Sequence, residues 1–188
     1  PMRNCIDCSV SYELHVPAGA HVTVSSASGD VDVRGISGPV RVSATSGDVE
    51  IHDVGGQVSV QSSSGDITTS NLASSLDAFT ASGDIDAKDL TGDASLGTDS
   101  GSVDASFDRM TAVHQVRMNS ASGDVSITVP RGAGFTIDAS TSSGSMDSNL
   151  KLPIHERDSG ATVHAQVGSG STNVQLETSS GDIDVKML

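Results

Sequence analysis

The chain has 188 residues and a formal net charge of −14, with 10 Lys and Arg against 24 Asp and Glu. Nucleic acid is gripped through its phosphates by clustered cations, so this balance excludes a nucleic-acid binder and disfavours an anionic membrane surface. Aromatic residues make up 2% of the chain and Trp is absent, which leaves almost no stacking platform for bases or sugars.

Charged residues are only 18% of the chain, and Gly, Ser, Thr and Asp together approach half of it. Disordered polar tracts and repetitive β proteins share that composition, so the order of the apolar residues has to decide between them. No run approaches the ~18 apolar residues that span a bilayer, and no basic stretch followed by an apolar one opens the chain. The expectation is a soluble segment, with any signal or anchor lying upstream of Pro1.

From the N-terminus, Cys5 and Cys8 form a lone C-x-x-C. A redox motif opens a helix beside a βαβ unit, whereas these cysteines run into the alternating strand-like stretch Ser9 to Val16. A structural zinc needs four ligands, and nothing completes the set. A small disulfide clasp or two free thiols remain as the readings.

The dominant signal is self-similarity. Ser-Gly-Asp-Val/Ile recurs with its glycine at Gly29, Gly47, Gly65 and Gly83, weakens at Gly101, and returns at Gly123, Gly144 and Gly181. Between these turns the apolar residues keep a period of nine: Val22, Val31, Val40, Val49, Val58, Ile67, Leu76, Ile85, Ala94 and Val103. Each is followed two residues later by a second small or apolar residue, the alternation of a short half-buried strand. A third apolar position, at Ile36, Val54, Leu72 and Leu90, marks an inward corner once per 18 residues.

One such unit cannot bury its own face, but stacked units can. The fold class expected is all-β: a single β-solenoid domain over 1–188, with coils of roughly 18 residues and two short strands each, spaced about 4.8 Å apart. Residues 1–21 form the entry strand and N-terminal cap, 22–106 the regular repeats, and 107–188 irregular coils acting as a C-terminal cap. Val49, Ile51, Val54, Val58 and Val60 exemplify five inward residues per coil, each contributing roughly 1.5 to 3 kcal/mol on burial. The stretch from Phe107 to Val116 reads as an excursion, 147–162 as a polar loop, and the segment from Val163 as the closing coil.

A nine-residue period is also the mark of calcium β-rolls, which carry Gly and Asp in every turn. Here the Gly-Asp pair comes in every second turn. Asp30, Asp48, Asp66 and Asp84 would stack along one edge, and they are the residues a calcium alternative would use. The structural reading is that each accepts hydrogen bonds from turn amides. Ser102 and Ser145 at the equivalent positions suit a turn but are poor calcium ligands.

These motifs resemble the bacterial putative-adhesin family of β-strand repeats, a domain of unknown function. The resemblance rests on Tyr12-Glu-Leu-His-Val-Pro-Ala-Gly19 before the first coil, on the Ser-Gly-Asp-Val/Ile turns, and on Val167-Gly-Ser-Gly-Ser-Thr-Asn-Val-Gln-Leu-Glu-Thr-Ser-Ser-Gly-Asp-Ile-Asp-Val185. It covers nearly the whole chain. It implies a β-solenoid in an envelope-associated, extracytoplasmic protein, and it supplies no catalytic residues to transfer. The cysteines before the entry strand look like those of actinobacterial members.

A β-helix enzyme acting on acidic polysaccharides is the enzymatic alternative. It would need cations and aromatic sugar contacts that the coils lack, since only Arg34, Arg41 and Lys88 project, with no evident partner set. Six histidines and abundant serines make a Ser-His-Asp match uninformative, and no G-x-S-x-G elbow is present. The reading is non-enzymatic, with no cofactor. If Val31 and Val33 point inward, Asp32 points out, and Glu50, Asp86 and Asp104 share its lattice position with Thr68 between them. This acidic face is the candidate site for a cationic peptide or protein partner. Ser43, Ser59, Gln61, Ser95 and the exposed Phe79 mark the opposite face. Self-association through the terminal coils is the further expectation.

Overall fold

The computed structural model describes residues 11–188; the Cys5–Cys8 reading lies outside them. Among the described residues there is no helix, and eighteen strands form two sheets of ten and eight. The chain alternates between the sheets: β1 (Val22–Ser26) and β2 (Val31–Arg34), β3 (Val40–Ala44) and β4 (Val49–Val54), β5 (Val58–Ser62) and β6 (Ile67–Leu72). The same rhythm continues through β7 (Leu76–Ser82) and β8 (Ile85–Leu90), then β9 (Ala94–Ser100) and β10 (Val103–Phe107). Among these ten, odd strands join the larger sheet and even strands the smaller, each pairing in parallel one repeat on, as Val22 with Val40 and Val31 with Val49.

The pleat explains the sequence beat. Val49, Ile51, Val54, Val58 and Val60 are at most 1% exposed, and the residues between them on each strand face solvent to a greater degree. The repeated residues of neighbouring coils therefore meet in one continuous aliphatic core between the sheets. The corner before each third inward residue needs a left-handed backbone: Gly35, Asp53, Asn71 and Asp89 have φ of 70°, 57°, 55° and 55°. Gly, Asn and Asp tolerate that region best, and Asn71 further donates from Nδ2 to Asp53 Oδ1 at 2.6 Å.

Beyond Phe107 the structure differs from the expected order. The excursion over 108–114 is a corner that buries Met110 and Val113, after which β11 (Gln115–Ser122) and β12 (Val125–Val129) form the sixth coil. Next in sequence come β13 (Phe135–Ser143) and β14 (Met146–Ser148), yet neither pairs with β11 or β12. The last two strands, β17 (Thr172–Ser180) and β18 (Ile183–Met187), lie between these coils, β17 pairing with β11 and β13, β18 with β12 and β14. The C-terminal coil is thus an interior layer rather than the closing one.

The stack closes instead with β16 (Ala161–Val167), antiparallel to β13, and β15 (His155–Glu156), antiparallel to β16. The 147–162 segment is not simply a polar loop, because Leu150, Leu152 and Ile154 pack against the core at that end. Antiparallel closure leaves β15 and β14 as the terminal strands of the two sheets, with β1 and β2 terminal at the other end.

Candidate interaction faces

The turn aspartates form a ladder along the stack. Asp30 Oδ1 accepts the amide of Asp48 at 3.0 Å, Asp48 that of Asp66 at 3.0 Å, Asp66 that of Asp84 at 2.8 Å, and Asp84 that of Ser102 at 2.7 Å. The ladder resumes from Asp124 to the amide of Asp182 at 2.8 Å, and from Asp182 to the amide and hydroxyl of Ser145 at 2.7 and 2.9 Å. The Ser145 bonds hold the Asp182 carboxyl below the ordinary carboxylate range. The candidate calcium residues Asp30, Asp48, Asp66 and Asp84 therefore each hold one oxygen on the coil above, a turn-amide role like the structural reading except that the amide belongs to the next coil.

The glycine before each aspartate is demanded by close approach. A Cβ on Gly83 would lie 2.3 Å from the carbonyl oxygen of Gly65, at φ of 137°. Beneath it runs a second ladder. Buried hydroxyls donate to these glycine carbonyls: Thr80 to Gly65, Thr98 to Gly83, Ser120 to Gly101, Thr178 to Gly123 and Thr141 to Gly181.

On the outer face of the smaller sheet, the register brings Asp32, Glu50, Thr68, Asp86 and Asp104 into one column, as expected, and extends it through Ser126 and Asp184 to Asp147. Two residues along runs a second column of Arg34, His52, Ser70 and Lys88, with Lys186 further along the sheet. Arg34 and Lys88, without an evident partner set in the sequence, do have one in the structure. Arg34 Nε donates to Asp32 at 2.7 Å and its Nη2 lies 3.5 Å from Glu50, while Lys88 pairs with Asp86 and Lys186 with Asp184. Hydrogen bonds to these carboxylates, reinforced by their charge, raise the pKa of all three cations. His52 Nδ1 lies 2.7 Å from Ser70 Oγ and its Nε2 3.6 Å from Glu50.

Asp104 differs from its neighbours in the column. No cation is within ion-pair distance of it among the described residues, and Ser126 is its neighbour in the column. Partial burial pushes its pKa up, with Asp86 and Asp84 adding to the rise and Ser126 opposing it.

The larger sheet's outer face carries Ser43, Ser59, Gln61, Ser95 and Phe79, the last 40% exposed. At the closed end this face forms an open groove of about 620 Å³, which sequence reasoning did not single out. Arg117 Nε and Nη2 donate to Gln175 Oε1 at 3.1 and 2.8 Å, Asp138 pairs with His164, and His155 and Glu177 line the same groove. Alternation places Arg117, Asp138, His164, Gln175 and Glu177 outward, but only the inserted coil brings Arg117 beside Gln175, 58 residues away.

Among the described residues, no three His, Cys, Asp or Glu side chains converge as a metal-binding set. Parallel coils alternating between two facing sheets define the molecule as a β-solenoid. The chain belongs to the Toastrack DUF4097 family, whose profile matches residues 7–186. This agrees with the domain of unknown function that the repeat motifs resemble. A search of curated proteins returns no match. Among solved structures, a "putative cell adhesion protein" from Clostridium sporogenes is similar with 11% identity and a TM-score of 0.44, covering 91% of this chain and 93% of that one.

Proposed function

We propose that this chain is a non-enzymatic, adhesin-like interaction module of a bacterial cell envelope, acting outside the cytoplasm. The outer face of its smaller sheet docks a cationic segment of a partner protein. The observation that carries this reading is the carboxylate column from Asp32 to Asp147, flanked by the turn aspartates and only partly neutralised by Arg34, Lys88 and Lys186. Within it Asp104 is exposed yet partly desolvated and lies beside the like charges of Asp86 and Asp84, so an arriving ammonium or guanidinium would relieve an existing electrostatic cost. A stacked scaffold suits the task, because the strands between β2 and β14 are hydrogen-bonded on both sides and hold the column rigid without reorganisation on binding.

The test is fluorescence anisotropy of a labelled oligolysine peptide titrated with the protein at rising salt. Affinity falls steeply with ionic strength, and Asp104→Lys combined with Glu50→Lys lowers it about tenfold or more. Binding that ignores salt, or that survives the double reversal unchanged, rejects the docking face.

A further inference from the structure

The two ends of the stack are built differently. The C-terminal end is closed by the antiparallel strands β16 and β15, whereas β1 and β2 end their sheets with no strand paired beyond them among the described residues. The consequence shows in the core. Val22 and Val24 are half-buried where Val40 and Val42, their equivalents one coil on, are 2% and 1% exposed. Val31 and Val33 are 8% and 7% exposed where Val49 and Ile51 are fully buried. Of the five exposed large apolar residues among the described ones, Tyr12, Leu14 and Val16 belong to this same end. The chain holding them is tied to the first coil where Ser37 and Gly38 donate to the carbonyl of Ala18.

The edges of β1 and β2 that are unpaired among the described residues have a defined hydrogen-bonding phase. In β1 the Val22 amide and the Ser26 carbonyl are engaged with the second coil, so the intervening Thr23 and Ser25 present their N–H and C=O groups outward along the edge. In β2 the amides of Val31 and, just beyond it, Gly35 face β4, which leaves Asp32 and Arg34 presenting theirs. An antiparallel partner exchanges both bonds between directly opposed residues.

We infer that the N-terminal end of the solenoid is an interface for a second copy of this chain, joined edge to edge about a twofold axis through Val24 and Val33. In β2 this arrangement sets Asp32 opposite Arg34 of the other copy and Arg34 opposite its Asp32, so that each doubly hydrogen-bonded pair is also an ion pair. In β1 it sets Thr23 opposite Ser25. Val24 and Val33 stand at equal sequence distance from the Ser28-Gly29 turn, so one axis normal to both sheets serves both seams. The charge order Asp-x-Arg centred on Val33 is self-complementary only in the antiparallel sense, the sense an isologous dimer requires. The second copy covers Val22, Val24, Val31 and Val33 and satisfies an edge that would otherwise template uncontrolled pairing.

The experiment is sedimentation equilibrium of the full chain from about 1 μM to about 0.5 mM, with reductant so that Cys5 and Cys8 cannot cross-link copies. The wild-type chain is a concentration-dependent dimer. Arg34→Asp, which opposes Asp32 to an acid, weakens it at least about tenfold. The double swap Asp32→Arg with Arg34→Asp restores opposite charges and brings affinity back to within about threefold of wild type. Circular dichroism melts verify that each variant is folded. Should a variant not fold, amide exchange of the wild type decides instead, with protection at Thr23, Ser25, Asp32 and Arg34 rising with concentration. A monomer throughout, a dimer indifferent to Arg34→Asp, a double swap no better than the single, or protection independent of concentration each overturns the interface.

Discussion

At the scale of single residues, the repeat lattice assigns each position a chemical task, and the exceptions carry measurable costs. Thr69 occupies the inward site held by Val33, Ile51 and Ala87 in neighbouring coils, and its buried hydroxyl has no hydrogen-bond partner. An unsatisfied buried polar atom bears its full desolvation cost, so Thr69→Val, nearly identical in shape, is expected to stabilise the protein by about 1 kcal/mol; a thermal melt checks this. Asp104 offers a second test with the opposite trend in pH to Asp182. Because the folded-state pKa of Asp104 is raised, its charge costs stability at neutral pH, and that cost fades as pH falls through the raised value. Asp104→Asn is therefore expected to melt above wild type at pH 7 and to lose the advantage in acid. The Asp182 carboxyl, held down by Ser145, contributes stability above its unfolded pKa that is lost as pH falls through its depressed folded value.

At the scale of elements, the inserted coil decides how the molecule tolerates truncation. If β17 and β18 closed the stack, removing 172–188 would shorten it by one layer, as trimming a repeat array does. They lie instead between β11–β12 and β13–β14, with Val174, Leu176, Ile183 and Val185 at most 1% exposed. Their removal leaves β13 without its parallel neighbour and interrupts the aspartate ladder between Asp124 and Ser145. The expected outcome is loss of protection across 135–167 in hydrogen exchange. Retention of a folded β13–β16 in the truncated chain would show that the antiparallel end is stable by itself.

At the scale of the whole molecule, charge opposes a fold that its core favours. Acids outnumber basic residues by 24 to 10, and the turn aspartates recur in most coils, with Ser102 and Ser145 taking their place in two. Salt weakens both the face's ion pairs and this self-repulsion, but exposed pairs are worth only about 0 to 1 kcal/mol each and repulsion acts among many more groups. The melting temperature is therefore expected to rise from ~0.01 to ~0.3 M salt as the Debye length contracts. A falling melting temperature would show that the ion pairs of Arg34, Lys88 and Lys186 outweigh the repulsion.

Much of this molecule was legible without coordinates, because in a parallel stack each residue sits above its counterpart one period earlier. The nine-residue beat by itself determined the all-β solenoid, the inward five of each coil, the turn position of Asp30, Asp48, Asp66 and Asp84, and the shared column of Asp32, Glu50, Asp86 and Asp104. Period and pleat are local properties, and both are written in the chain. Where the period breaks after Val103, sequence distance ceases to report spatial distance. The layer order of the last coils, the groove joining Arg117 to Gln175, and the pairing of Arg34 with Glu50 were decided by tertiary structure alone. Two coils with the same inward pattern fit the same layer equally well by sequence, and which one takes it depends on connection geometry and on which carboxylate and glycine meet across the turn.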